Sequence, residues 1–287
     1  MTKVVNENVI TSDGWSISVA RYEPDATPLG VIQILHAFGE HYGRYEEFAK
    51  YFCVNNYICV VHNQRGFGSI PKKLRGIVKD YDLLLDDMNL VRSRIDNWYP
   101  ILPVFLFGHS MGGNIALSYV LKRSQDEYHK AIFETPWLSL SKEKSMPAFV
   151  IGISRIIGNA NYKIAKTDNL NVNHLTRDSQ VADEIKNDSY FHTRMSLKLF
   201  AQITDSGQYI INNISKLTLP TLFLIAAEDK IVSSKAIIDI CNKNQANIRY
   251  IVIKDGYHSL HNDLCKNEVF EYMLDYLSKS MEVNINA

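Results

Sequence analysis

The chain has 287 residues, enough for one large domain that carries an inserted or appended subdomain. Hydrophobic residues make up 46% and charged residues 22%, the balance of a soluble protein able to bury a sizeable core. Lys+Arg and Asp+Glu both number 31, so neither the basic excess of a nucleic-acid binder nor the acidic excess of a solvating tail is present.

Taken in chain order, the opening stretch "MTKVVNENVITSDGWSISVARY" lacks the basic segment and apolar run of a signal peptide. No later run approaches the roughly 18 apolar residues of a spanning helix. The four cysteines, Cys53, Cys59, Cys241 and Cys265, form no C-x-x-C pair and read as reduced thiols in or near a core. A cytoplasmic location is the resulting expectation. "WSISVARY" (15–22) alternates polar with apolar, as an antiparallel strand near a sheet edge does. The runs "VIQIL" (31–35), "YICVV" (57–61), "PVFLF" (103–107), "KAIF" (130–133), "TLFLIAA" (221–227) and "IRYIVI" (248–253) read as buried strands. Their near-continuous apolarity suits a parallel sheet covered on both faces. Helical patterns lie between or after them: "RYEEFAKYFCVN", "DYDLLLDDMNLVRSRIDNWY", "GGNIALSYVLKRS" and "NDLCKNEVFEYMLDYLSKS". This alternation predicts an α/β fold: an open, mostly parallel sheet with helices on both faces.

The rhythm breaks once. Between "KAIFETPWLSL" and "LPTLFLI" lie roughly 75 residues with no parallel strand, too many for a structureless connection. They read as a helical insertion standing over one end of the sheet. The expected division is a core of residues 1–139 and 213–287 with an insert over 140–212.

Chemistry enters at Gly108-His109-Ser110-Met111-Gly112, a G-x-S-x-G that directly follows "PVFLF" and opens a helix. Small residues on either side let the backbone turn sharply, and the helix N-terminus favours developing negative charge near Ser110. A serine hydroxyl needs a base, and on this fold an acid and then a histidine follow the serine in the chain. "LIAAEDKIV" offers Glu228 and Asp229 just after a strand; "YIVIKDGYHSLHNDL" offers His258, with His261 as its rival. Two backbone donors should face the oxyanion: the N–H of Met111, after the nucleophile, and that of Phe38, in the loop after strand 31–35. The histidines of "HAFGEH" do not match the spacing of H-E-x-x-H or H-x-x-E-H, so no metal is expected.

These residues resemble the lysophospholipase and monoacylglycerol lipase branch of the α/β-hydrolase superfamily. "HAFGEHYGRY" is similar to the family's H-G-x-G-E-H-x-x-R-Y loop, "NQRGFGSI" to its D-x-R-G-H-G-x-S turn, "VFLFGHSMGG" to its elbow, and "EDKIV…GYHSLHND" to its acid and histidine blocks. The likeness runs nearly end to end. Ala37 stands where a glycine is usual, Asn63 where an aspartate is, and Phe67 where a second histidine is. The resemblance implies the α/β-hydrolase fold, Asp229 rather than Glu228 as the acid, and a catalytic triad of Ser110, Asp229 and His258. It also implies that the insert is a cap, or lid, over Ser110. "MPAFVIGISRII" (146–157) could then line an acyl channel, touch a lipid surface transiently, or simply pack the cap onto the sheet. Glu40, Arg44, His109 and His261 are candidates for a polar end that holds a substrate head group.

The implied activity is serine ester hydrolysis on monoacylglycerol, lysophospholipid or simple acyl-ester substrates, without a cofactor. An acyltransferase or a small peptidase would use the same triad. A non-catalytic binding protein on the same scaffold is the remaining alternative, and the complete triad argues against it.

Overall fold

The structure is a computed structural model that describes residues 2–279. In chain order the principal elements are β1 (Lys3–Ile10), β2 (Ser16–Glu23), β3 (Gly30–Leu35), α1 (Glu46–Val54), β4 (Tyr57–His62), α2 (Asp82–Trp98), β5 (Val104–His109), α3 (Met111–Lys122) and β6 (Lys130–Glu134). Then come α4 (Ala148–Ala160), β7 (Ala165–Thr167), α5 (Ser179–Asn187), β8 (Arg194–Ser196) and α6 (Leu197–Asn213). The chain continues through β9 (Thr221–Ala226), α7 (Ser234–Cys241), β10 (Ile248–Ile253) and α8 (Lys266–Ser278). Eight strands form one sheet in the order β1-β2-β4-β3-β5-β6-β9-β10. From β4 to β10 every neighbour is parallel, while β1–β2 and β2–β4 are antiparallel.

β3, β4, β5, β6 and β9 are buried along their whole length, which is why their sequences show no polar alternation. The period-2 geometry of a strand splits each one between two cores. In β5, Val104 and Leu106 join Met88, Val91, Ile115 and Ile203 on one face. Phe105 and Phe107 join Phe48, Phe52, Phe270 and Met273 on the other. Two differences from the sequence reading lie at the edges. β1 forms the outer edge beside β2, and its exposed pattern hides it from an apolar-run search. β10 was expected to be buried but closes the opposite edge, with Arg249, Tyr250 and Val252 exposed because only β9 flanks it.

Between β6 and β9 stand α4, α5, α6 and a two-stranded antiparallel pairing of β7 with β8. Asp178 caps α5 by accepting from the Gln180 and Val181 N–H groups, and Ser196 caps α6 at Leu199. α6 packs against both α3 and α4, so it couples the insertion to the sheet layer. α4 is inverted relative to an ordinary amphipathic helix. Its buried positions are Ser154 and Gly158, while Phe149, Ile153 and Ile156 face outward. The reading in which this segment packs the insertion onto the sheet is therefore not what its side chains do.

Candidate active site

The loops that follow the C-terminal ends of the parallel strands gather at one end of the sheet, the usual place for a site in an open α/β fold. Ser110 is the single residue between β5 and α3, with φ 52° and ψ −113°. A non-glycine residue seldom occupies positive φ, and such strain persists only where surrounding bonds over-determine it. Here the Ser110 N–H donates to the Glu134 carbonyl at 3.0 Å, while the Ser110 carbonyl accepts from Asn114 N–H at 3.0 Å and Trp137 N–H at 2.9 Å. Gly112 lets the end of β3 cross the turn closely, since a Cβ there would run into the Leu35 carbonyl.

His258 lies in the loop after β10. Its Nδ1 is 2.8 Å from Asp229 Oδ2 and its Nε2 is 2.8 Å from Ser110 Oγ. A carboxylate only accepts, so Nδ1 carries the proton and Nε2 is the acceptor for the serine hydroxyl. Asp229 follows β9, and its other oxygen accepts the N–H groups of Ile231 at 2.8 Å and Val232 at 2.9 Å. These bonds fix the carboxylate before it meets the imidazole. The carbonyl of His258 is held in turn by Thr135 Oγ1–H at 2.8 Å and by His109 Nε2 at 3.2 Å. Asp263 fastens the same loop: its buried carboxylate accepts from the N–H of Tyr257 and from the N–H and guanidinium of Arg177, in the insertion. Ser259 N–H also donates to the Leu175 carbonyl of the insertion at 2.8 Å.

The loop after β3 carries Phe38. His36 at its root accepts from Gln64 N–H through Nε2 at 2.9 Å, so its Nδ1–H donates to the Ala37 carbonyl at 2.7 Å. That carbonyl shares a peptide plane with Phe38 N–H, so His36 sets the direction in which Phe38 N–H points. Burial pushes the His36 pKa down to about 4, which keeps the ring neutral and this bonding pattern intact. Met111 opens α3, where the first N–H groups lack an intrahelical acceptor.

A cavity of about 250 Å³ meets Ser110, His258, Ala37 and Phe38, and its walls rise into the insertion through Leu140, Met146, Val150, Met195 and Phe200. The four polar residues expected at a head-group end divide. Glu40 and His109 line the cavity. Arg44 does not: it turns toward Glu184 of α5 at 3.9 Å and lines a separate cleft with Lys50 and Asn262. His261 is fully buried behind the site with its Nδ1 2.7 Å from Glu134 Oε1. Glu40 accepts from Ala37 N–H at 3.1 Å and Tyr45 OH at 2.9 Å. Burial alone would raise its pKa; the hydrogen bond and charge of His109, with His261 and Arg44, outweigh that and hold it well below the usual carboxylate range. Asn63 and Phe67, the two departures in the turn after β4, have local partners. Asn63 Oδ1 accepts Tyr42 N–H at 2.8 Å, and Phe67 stacks on His192.

Among the described residues, one group has metal-like spacing: His109, Glu134 and His261, whose donor atoms lie within 4.8 Å of one another. Nδ1 of His261 and Oε1 of Glu134 already bond to each other. His36 and His41, considered from the sequence, are committed elsewhere, to Ala37 and Gln64 and to Asp188. Sequence reasoning did not find Glu134, Thr135 or Asp263. The one signal available was a charged residue ending the apolar strand "KAIFE".

Sheet, elbow and insertion together define an α/β-hydrolase. A family model described as serine aminopeptidase S33 (Hydrolase_4) matches residues 26–265, and the chain belongs to that family; it is a serine hydrolase. It is 26% identical over 284 residues to an abhydrolase domain-containing protein of Dictyostelium discoideum, covering 98% of this chain but only 30% of that protein. With human monoglyceride lipase it shares 27% identity over 279 residues, 95% of this chain and 90% of the relative. In fold it is similar to a soluble variant of the Saccharomyces cerevisiae monoglyceride lipase, with a TM-score of 0.85 and 19% identity over 96% of this chain and 95% of that one. Among the described residues no helix is long and apolar enough to cross a membrane.

Proposed function

We propose that this chain hydrolyses acyl monoesters of the monoacylglycerol or lysophospholipid type through an acyl-enzyme on Ser110. The observation that carries the reading is the Ser110–His258–Asp229 chain, both links 2.8 Å, opening into a cavity with largely apolar walls. His258 Nε2 takes the hydroxyl proton as Ser110 Oγ attacks the ester carbonyl. Asp229 holds the tautomer and offsets the imidazolium that forms. The N–H groups of Phe38 and Met111 receive the oxyanion. His258 then returns the proton to the departing alcohol, and water repeats the sequence to release the acid. Residues 140–212 act as the cap that gives the acyl chain its apolar surroundings. Glu40 and His109 supply the polar end of the cavity, and the outward face of α4 makes transient contact with a lipid surface.

Relatives named as monoglyceride lipase and monoacylglycerol lipase support the ester reading. The family's description as an aminopeptidase favours a second one, amide cleavage at a free N-terminus. That reaction needs a carboxylate free to receive an ammonium group. Glu40 already accepts from Ala37 N–H and Tyr45 OH through one oxygen, Oε2, and Asp168 is paired with Lys144 at 3.3 Å, so neither carboxylate is without a partner. The test sets p-nitrophenyl and monoacylglycerol esters of graded chain length against aminoacyl amides, with glycerol added to detect transfer. A fluorophosphonate probe and Ser110→Ala serve as controls. Ester turnover and labelling that vanish in S110A are expected. Undiminished turnover in S110A, or a preference for amides, would overturn the proposal.

A further inference from the structure

Glu134 is a fully buried carboxylate that stands outside the lining of the cavity. It ends β6, whose only other charged residue, Lys130, sits at the opposite end of the strand and donates to the Tyr276 carbonyl. Burying a carboxylate is costly unless it is paired and hydrogen-bonded, so its presence calls for a role. Its backbone carbonyl accepts the N–H of Ser110 at 3.0 Å. Its Oε1 accepts from His261 Nδ1 at 2.7 Å and from the His261 N–H at 3.4 Å, on the loop that carries His258 three residues earlier. His109 stands alongside, its Nε2 3.7 Å from Oε1 and 3.2 Å from the His258 carbonyl. The next residue, Thr135, donates to that same carbonyl.

From this juxtaposition we propose that Glu134 is a positioning residue, a clamp that locks the His258 loop to the nucleophile elbow through His261. One residue thus holds Ser110 directly and the His258 loop through His261, without lining the cavity. Loosening it leaves the fold and the cavity in place but lets Nε2 drift from Oγ, and proton transfer depends steeply on that distance. Ion-pair character supports the clamp. Burial alone would lower the His261 pKa, but the charge and hydrogen bond of Glu134 raise it; burial alone would raise that of Glu134, which His261 and His109 lower.

The inference rests on the serine-hydrolase reading of Ser110, and its test separates the two. Glu134→Val, Glu134→Gln and His261→Phe are compared with the parent in pre-steady-state hydrolysis of p-nitrophenyl butyrate, with active sites counted by fluorophosphonate labelling. The clamp predicts that E134V and H261F lose about thirtyfold in acylation rate per labelled site while KM stays within about twofold. E134Q, which keeps an acceptor for His261, recovers most of the rate. The double variant E134V/H261F is no slower than either single one, because both break the same bond. Acylation per active site within twofold of the parent in E134V, or in H261F should E134V not fold, overturns the proposal. So does an E134Q as slow as E134V. Failure of the underlying reading looks different: the parent itself neither labels nor hydrolyses.

Discussion

Lowering the pH tests how much stability the buried, neutral histidines withhold from protonation. His62, the last residue of β4, is 1% exposed, and its Nδ1 has no hydrogen-bond partner. Burial pushes its pKa down to about 3, with a smaller push from neighbouring His36. An unfolded histidine titrates near 6.5. The unfolded chain therefore takes up the proton first, so this contribution is fully present above pH ~6.5 and is lost as the pH falls toward 3. Linkage between those two values gives a loss of about 2 kcal/mol for His62 between pH 8 and pH 5. His36, with a pKa near 4, adds a similar loss, while His261, whose pKa is raised, works in the opposite direction. The comparison that isolates His62 is therefore His62→Leu against the parent, by urea unfolding at pH 8 and pH 5 at fixed ionic strength. The H62L variant should lose about 2 kcal/mol less than the parent over that interval. Equal losses in the two proteins, within about 0.5 kcal/mol, would refute the assignment of a buried neutral imidazole.

Two further expectations concern strain and surface. Ser110→Gly should melt about 2–4 °C above Ser110→Ala, because glycine releases roughly 1–2 kcal/mol of positive-φ strain and returns part of it as unfolded-chain entropy; a glycine variant that melts at or below the alanine one means that no strain is stored at the elbow. The double variant Phe149→Ser/Ile156→Ser should co-sediment with phosphatidylcholine vesicles about fivefold less than the parent while hydrolysing a short soluble ester normally. Identical partitioning would remove the outward face of α4 from any role at a lipid surface.

Some of this molecule is legible in one dimension and some is not. The parallel strands were, because a strand covered on both faces is nearly continuously apolar: "PVFLF" is its own evidence, and "VIQIL" is interrupted only by Gln33, which bonds to the Met88 carbonyl and to Tyr128. β1 was not, because an edge strand with mostly exposed side chains carries no such demand. The order serine, acid, histidine put Ser110, Asp229 and His258 in view, since chain order and strand ends are sequence properties, and the structure brings them within hydrogen-bond distance. Arg44 shows the limit. Its place in "GEHYGRY" suggested a head-group contact, but only the position of α5 reveals that its side chain turns toward Glu184. Glu134 and Asp263 were beyond reach for a similar reason. Their meaning lies in partners 127 and 86 residues away, and no local pattern encodes a partner at that distance.

The anchoring of Asp263 bears on how such a chain could be re-engineered or could diverge. Measured along the sequence, the insertion between β6 and β9 looks detachable. Mechanically it is not: Arg177 and Leu175 belong to it, and they brace the loop that presents His258. Grafting a different insertion would therefore disturb His258, the proposed base, as well as the pocket. Variation confined to α4, which contributes none of those braces, could reshape one wall of the cavity with the Ser110–His258–Asp229 geometry left standing.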